Sequence, residues 1–219
     1  MKKGITVIIL ILALTGCVKK QSLNVDLTGV VETVFMYDDG DTIKSKVYTL
    51  KNDYQLIVFP RKGKQGNELC FMLCGKNIDK IIYTDFISSY KYTAYCNTHF
   101  DFMNYVAISK SGGSNNYFFL FDKRTGKECL YGLDISSDLE NELIIYADED
   151  NDYKKYVYDV NSKAKTWINI DAIDNKDRCM EVNEVWKTLY IKRKTDKYYY
   201  IGVGLCDESL EYKIQILDY

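Results

Sequence analysis

A single histidine, a single proline and no apolar run long enough to cross a bilayer set the first bounds on this chain. The histidine is His99, in the stretch CNTHFDF. A Ser-His-Asp triad would have to use it, and no Gly-x-Ser-x-Gly elbow accompanies it. A histidine between threonine and phenylalanine is ordinarily a strand or loop residue. No His/Cys group has zinc-ligand spacing, because Cys70 and Cys74 lack a second pair. The basic excess that nucleic-acid binding requires is missing too, since the formal net charge is -2. The apolar run Ile5–Leu14 spans ten residues, short of the roughly 20 that a membrane-crossing helix needs. What the chain has in quantity is aromatic: 20 Tyr, 9 Phe and 2 Trp, which with so little proline point to β-structure.

The N-terminus reads as an export signal. Lys2 and Lys3 form a positive start, and the run ITVIILILAL matches the roughly 7–15 residues of a secretory h-region. The tetrad Leu14-Thr15-Gly16-Cys17 that ends it resembles the bacterial lipobox, Leu-small-Gly/Ala-Cys, at every position. The resemblance implies a signal peptide over residues 1–16, cut between Gly16 and Cys17. It also implies a diacylglycerol thioether on the Cys17 thiol and an acylated, palmitate-type N-terminus. Thiolate nucleophilicity is what makes cysteine the acceptor. One acyl chain binds a membrane marginally, and two or three hold firmly. Residues 17–24 then form the lipidated cysteine and its tether, and residues 25–219 a single all-β domain. Val18, which is not Asp, implies an outer-membrane address in a Gram-negative host and the plasma membrane in a Gram-positive one.

The expected mature chain has 203 residues, with 27 basic against 31 acidic side chains once Lys2 and Lys3 are removed. That is enough chain for a real core. Six cysteines remain: Cys70, Cys74, Cys96, Cys129, Cys179 and Cys206. An even number in an exported chain permits disulfides, but fifteen pairings are possible and none is singled out. Cys70 and Cys74 share one face of a strand, too far apart along it for an easy bridge. Small buried hydrophobes is the reading that suits the six.

From Val25 on, short alternating runs are separated by polar turns, and no helical period exceeds two turns. VVETVFMY and IKSKVYTL flank DDGDT, a hairpin signal in which Gly40 is free to take φ > 0. The later segments stack in threes: YQLIVFP, ELCFMLCG, DKIIYTD; YVAIS, YFFLFD, KECLYGL; ELIIYAD, KKYVYDV, KTWINI; TLYIKRK, KYYYIGVGL, EYKIQILDY. These units begin near Tyr54, Tyr105, Leu143 and Leu189, at spacings of 51, 38 and 46 residues. A meander recurring every 40–50 residues is a propeller signature. The turns FDKRTGKECLY and YDVNSKAKTWI both run strand, Asp, polar-basic turn, strand. The expected fold is therefore all-β, a propeller-like array of antiparallel meanders. A β-sandwich is the alternative, since it too shows regular strands and turns.

The stretch NYFFLFDKRTGKECLYGLDISSDLENEL resembles a repeat of the six-bladed β-propeller lipoproteins of Bacteroidetes. The matching residues are Asp122, Lys123, Thr125, Gly126 and Lys127, then Ser137, Asp138 and Leu139. The resemblance covers about thirty residues and the lipobox. Six blades of 40–50 residues need roughly 240–300 residues, so 203 accommodate about four to five.

Candidate sites are few. Asp148, Asp150 and Asp152 begin like a calcium loop, but Tyr153 stands where glycine belongs and Asp159 where glutamate does. A solvated turn accounts for the same residues, and for Asp38, Asp39 and Asp41. SKSGGSNN (109–116) is Gly-rich but is followed by a strand, so it reads as a hairpin loop rather than a phosphate cradle. Acid pairs such as Asp207 and Glu208 could serve glycoside hydrolysis only across a cleft. Trp167, Trp186 and Tyr199, within Tyr198-Tyr199-Tyr200, are the candidate binding aromatics, with core packing as the competing role. No cofactor, catalytic centre or nucleic-acid partner is expected. The reading is a non-catalytic, lipid-anchored envelope protein that binds a protein or glycan. The alternative is an envelope carbohydrate-active hydrolase or lyase with a carboxylate or tyrosine centre.

Overall fold

The computed structural model describes residues 45–64, 66–86, 94–112, 115–169, 182–204 and 209–216. Gly16 and Cys17, the tether, the DDGDT hairpin, Cys179, Cys206, Asp207 and Glu208 lie outside the described residues, as do the side chains of Cys96 and His99. The strands are β1 (Lys46–Leu50), β2 (Tyr54–Lys62), β3 (Asn67–Gly75), β4 (Ile78–Phe86), β5 (Ala94–Asp101), β6 (Tyr105–Gly112) and β7 (Asn115–Asp122). They continue with β8 (Lys127–Asp138), β9 (Leu143–Asp148), β10 (Lys154–Asp159), β11 (Lys165–Ile168), β12 (Leu189–Lys194), β13 (Tyr198–Gly204) and β14 (Ser209–Gln215). One short helix, α1 (Val182–Val185), precedes β12.

The fold is all-β and antiparallel. Three sheets form, in the orders β1-β2-β3-β4, β11-β10-β9-β8-β7-β6-β5 and β12-β13-β14. The four meanders expected from the spacing are β2–β4, β6–β8, β9–β11 and β12–β14, and they begin at Tyr54, Tyr105, Leu143 and Leu189. The second and third share one sheet, so four meanders make three sheets among the described residues. The link is β8, whose first half pairs with β7 and whose second half pairs with β9. A register shift between Asp134 and Ser136 bends it, as a bulge does by adding a residue to one side of a ladder. CNTHFDF contributes to β5, a seventh strand on this sheet outside the four meanders. One expectation is corrected: the Gly-rich loop is shorter than expected, since β6 runs to Gly112 and β7 starts at Asn115, because Ser111 pairs with Asn116 and Gly112 with Asn115.

The cores show how the meanders stack. Leu56, Phe71 and Leu73 of the first meander meet Val106, Ile108 and Phe121 of the second. Phe118 and Leu120 of the second meet Ile144, Tyr146 and Tyr156 of the third, inside the curl of the large sheet. Leu143, Ile145 and Val157 of the third meet Leu189, Tyr199 and Ile201 of the fourth. Each adjacent pair of meanders shares one apolar core. Stacking four in chain order is what makes the array propeller-like. Among the described residues, no core cluster joins the first meander to the fourth.

This stacking explains the sequence pattern. β9 is LIIYAD, with its first five residues all buried, because both of its faces are covered. β14, SLEYKIQ, alternates exposed and half-buried because only one face packs. Burying a side chain such as Phe118 or Ile145 contributes roughly 1.5–3 kcal/mol. The curl also requires a missing side chain. A Cβ on Gly132 would lie 2.4 Å from Cδ2 of Tyr146 and 2.9 Å from the Ala147 carbonyl. Tyr146 uses that space to reach Phe118 edge to face, with centroids 5.9 Å apart.

Two hairpins are one device used twice. Asp122 pairs with Lys127 around a four-residue turn, and the Asp159 N–H donates to the Ala164 carbonyl around another. In the first, Asp122 accepts the Arg124 N–H at 2.7 Å. In the second, Asp159 accepts the N–H groups of Asn161 and Ser162, each at 3.0 Å. The Gly126 and Lys163 N–H groups both donate back to the aspartate carbonyl at 2.8 Å. Of the residues behind the family resemblance, Asp122, Thr125 and Gly126 thus build a turn. Lys123 is fully buried beneath it, where Val160 sits in the other hairpin. Its ammonium donates to Asp101 at 2.6 Å, to the Phe102 carbonyl at 2.7 Å and to the Lys51 carbonyl at 3.1 Å. This ties the first meander to the second. Burial pushes the Lys123 pKa down, with the Asp101 carboxylate opposing it.

Candidate functional site

The third and fourth meanders meet around a cleft of about 840 Å³. One wall is the β10–β11 hairpin, Asp159 to Lys165, with Tyr156 and Asn151 beyond it; the other is Lys194, Asp196 and Tyr199 of the fourth meander, with Ile216. The hairpin is held by the aspartate turn described above, so its polar residues are presented on a fixed backbone.

Two of the three lysines that line the cleft, Lys165 and Lys194, are ion-paired. The Lys194 ammonium donates to Asp159 at 2.6 Å, across 35 residues of chain. Lys165 donates to Asp148, and its ammonium lies 4.1 Å from the centroid of the Tyr156 ring, a cation–π contact. Burial works against the Asp159 carboxylate, yet Lys194 and the N–H groups of Ser162 and Asn161 outweigh it and lower the pKa. For Lys165 burial works against the ammonium, and Asp148 and Tyr146 outweigh it, raising the pKa. Burial and then the charge of Asp159 push the Tyr199 phenol up to about 12. The Asn151 amide donates to the Tyr156 hydroxyl at 2.6 Å, fixing both groups. The wall is therefore an array of donors and acceptors, the phenols of Tyr156 and Tyr199 among them.

Of the expected aromatics, Tyr199 is 1 % exposed and belongs to the core between the third and fourth meanders while forming part of the cleft wall. Its neighbours Tyr198 and Tyr200 are half-buried, covered by Lys213 at 3.8 Å and Arg193 at 3.4 Å from their ring centroids. Trp186 borders that same core and lines a smaller cleft of about 210 Å³ with Leu133 and Ile135. Trp167 pairs with Tyr156 across β10 and β11 and is 47 % exposed. It faces away from the core that its neighbour Ile168 enters. The three aromatics are thus not brought into one groove.

The acidic run forms a turn. Residues Glu149–Asn151 make one 3-10 turn, and Asp152 follows in the left-handed region at φ 52. Asp148 is engaged by Lys165. Glu149, which no calcium-loop reading singles out, accepts hydroxyls from Tyr131 at 2.8 Å and Tyr153 at 3.0 Å. Among the described residues no group of three or more His, Cys, Asp and Glu is placed to hold a metal ion. Cys70 and Cys74 are buried and unbridged, and Cys129 is exposed and unbridged. Burial, then Asp79, pushes the Cys74 thiol up to about 12, the reverse of an activated nucleophile.

Lys163, Lys165, Lys194, Asp159 and Tyr156, which line the cleft, were not singled out as a site. One signal was present: in YDVNSKAKT, lysine occupies the turn position that glycine holds in FDKRTGK.

Fold and cleft together define an all-β array of stacked meanders with one large polar concavity between its third and fourth units. Comparison with family models, curated proteins and solved structures returns no match to this chain.

Proposed function

We propose that this chain is a lipid-anchored cell-envelope protein that binds a glycan partner, without turning it over, in the cleft between the third and fourth meanders. Cys17 is the anchor, and the address is the outer membrane in a Gram-negative host. One observation carries the binding reading: Asp159, the carboxylate set deepest in the cleft wall, is ion-paired with Lys194 and lowered in pKa. A glycosidase acid needs the opposite, a carboxyl whose pKa is raised so that it can donate a proton. The fixed amide, phenol and ammonium groups suit a polyhydroxylated ligand, and the cleft falls in the size range of ligand sites, about 300–1,000 Å³.

The binding half is tested with the mature chain carrying Cys17→Ser on a glycan array, followed by turnover assays on every glycan bound. Retention of a glycan, lost in an Asn151→Ala/Tyr156→Phe variant and released unchanged, is the expected result. Hydrolysis or elimination of the bound glycan would favour the enzyme reading instead. For the anchor, Cys17→Ser in the full precursor abolishes incorporation of labelled palmitate and leaves the leader uncleaved. Unchanged labelling refutes the site.

A further inference from the structure

Lys163 stands in a backbone conformation that favours glycine. In the β7–β8 hairpin the corresponding position is Gly126, at φ +61, and in the β10–β11 hairpin it is Lys163, at φ +63. Glycine takes this left-handed conformation freely, whereas a side chain strains it. Strain of this kind recurs at binding sites, and of the seven non-glycine residues with positive φ among the described residues, Lys163 is the one that lines the cleft.

Lys163 also differs from the other cations of the cleft. Lys165 is held by Asp148 and Lys194 by Asp159. Lys163 is exposed, and no carboxylate pairs with it among the described residues. On the opposite wall Asp196, in the β12–β13 turn, is an exposed acceptor.

We propose that Lys163 is the anion-recognising residue of the cleft, and that its ligand is an acidic oligosaccharide bearing a sugar carboxylate. The carboxylate pairs with the Lys163 ammonium, a charge-assisted contact of the stronger kind. Ligand hydroxyls bond to Asn151, Ser162 and Asp196. The inference rests on the reading of the cleft as a glycan site and adds the class of glycan.

Titration calorimetry of the mature chain tests it, with oligogalacturonate, hyaluronan and oligosialic acid fragments as probes and the methyl ester of each as the neutral control. The expected result is that one acid binds about tenfold tighter than its ester and that added salt erodes this preference. Lys163→Gly removes the preference while its melting temperature stays equal or rises, and Lys163→Arg keeps it. Equal affinity for acid and ester, or an unchanged preference in Lys163→Gly, overturns the role of Lys163. Binding of none of the three acids overturns the ligand class. Retained binding of the esters, or of neutral glycans on the array, would in either case leave the glycan reading of the cleft standing.

Discussion

Gly126 and Lys163 occupy the same place in two hairpin turns of equal length, 37 residues apart, and both have φ near +60°. The two positions differ in what surrounds them. A Cβ at Gly126 would lie 2.8 Å from Cγ2 of Ile82 and 3.1 Å from Cδ1 of Ile78, on the first meander. Lys163 is on an open wall. Gly126→Lys is therefore expected to destabilise by about 1–3 kcal/mol, from left-handed strain plus crowding. Urea unfolding measures it, and an unchanged midpoint would show that the first meander does not pack against this turn.

Lys123 and Val160 form the second matched pair, both fully buried after their aspartates. Lys123→Val should cost about 3–5 kcal/mol, because Asp101 loses its ammonium partner while remaining mostly buried. Adding Asp101→Asn should recover a large part of that loss, since valine already fills the equivalent site under the other turn. Simple addition of the two losses would argue against a coupled pair.

Gly132 and Tyr146 are coupled by shape. Gly132→Ala is expected to cost about 1–3 kcal/mol by displacing the Tyr146 ring. Tyr146→Leu should also destabilise, through the lost ring contact with Phe118. In the double variant the alanine should cost much less than it does alone. Equal costs in both backgrounds would place the strain at the Ala147 carbonyl instead.

Acid should loosen both turns. Asp122 is lowered in pKa chiefly by its hydrogen bond to Arg124, and Asp159 by Lys194 and two backbone N–H groups against the opposing effect of burial. A carboxyl depressed in the folded state contributes stability that is complete above its unfolded pKa, about 3.9. That stability is lost as pH falls through the folded value. Unfolding free energy should therefore decline from about pH 4 downward, and Asp159→Asn should flatten the decline while lowering stability at neutral pH. A variant as acid-sensitive as the parent would exclude Asp159 as a contributor.

The meanders were legible because each strand announces its own environment. YFFLFD and LIIYAD are apolar on both faces and lie between two packed layers, while SLEYKIQ alternates and lies at the end of the stack. The strand starts at Tyr54, Tyr105, Leu143 and Leu189 follow from local pattern alone, because alternation and turn chemistry act over a few residues. Local pattern could not show that β8 would carry one meander into the next. That depends on where a long strand bends, and its bulge at Ile135 is set by packing on both sides.

The site was less legible than the fold. Tyr199 read as a binding aromatic with core packing as the competing role, and alternation along β13 buries it at the cleft wall and turns its neighbours outward under Arg193 and Lys213. The cleft depends on pairings such as Lys194 with Asp159 and Lys165 with Asp148, which join residues on different strands. β-class and repeat unit are properties of neighbouring residues, so the linear order of side chains suffices to specify them. The pairing of Lys194 with Asp159, which leaves Lys163 without a carboxylate partner among the described residues, arises only when the third and fourth meanders dock and their turns face one another.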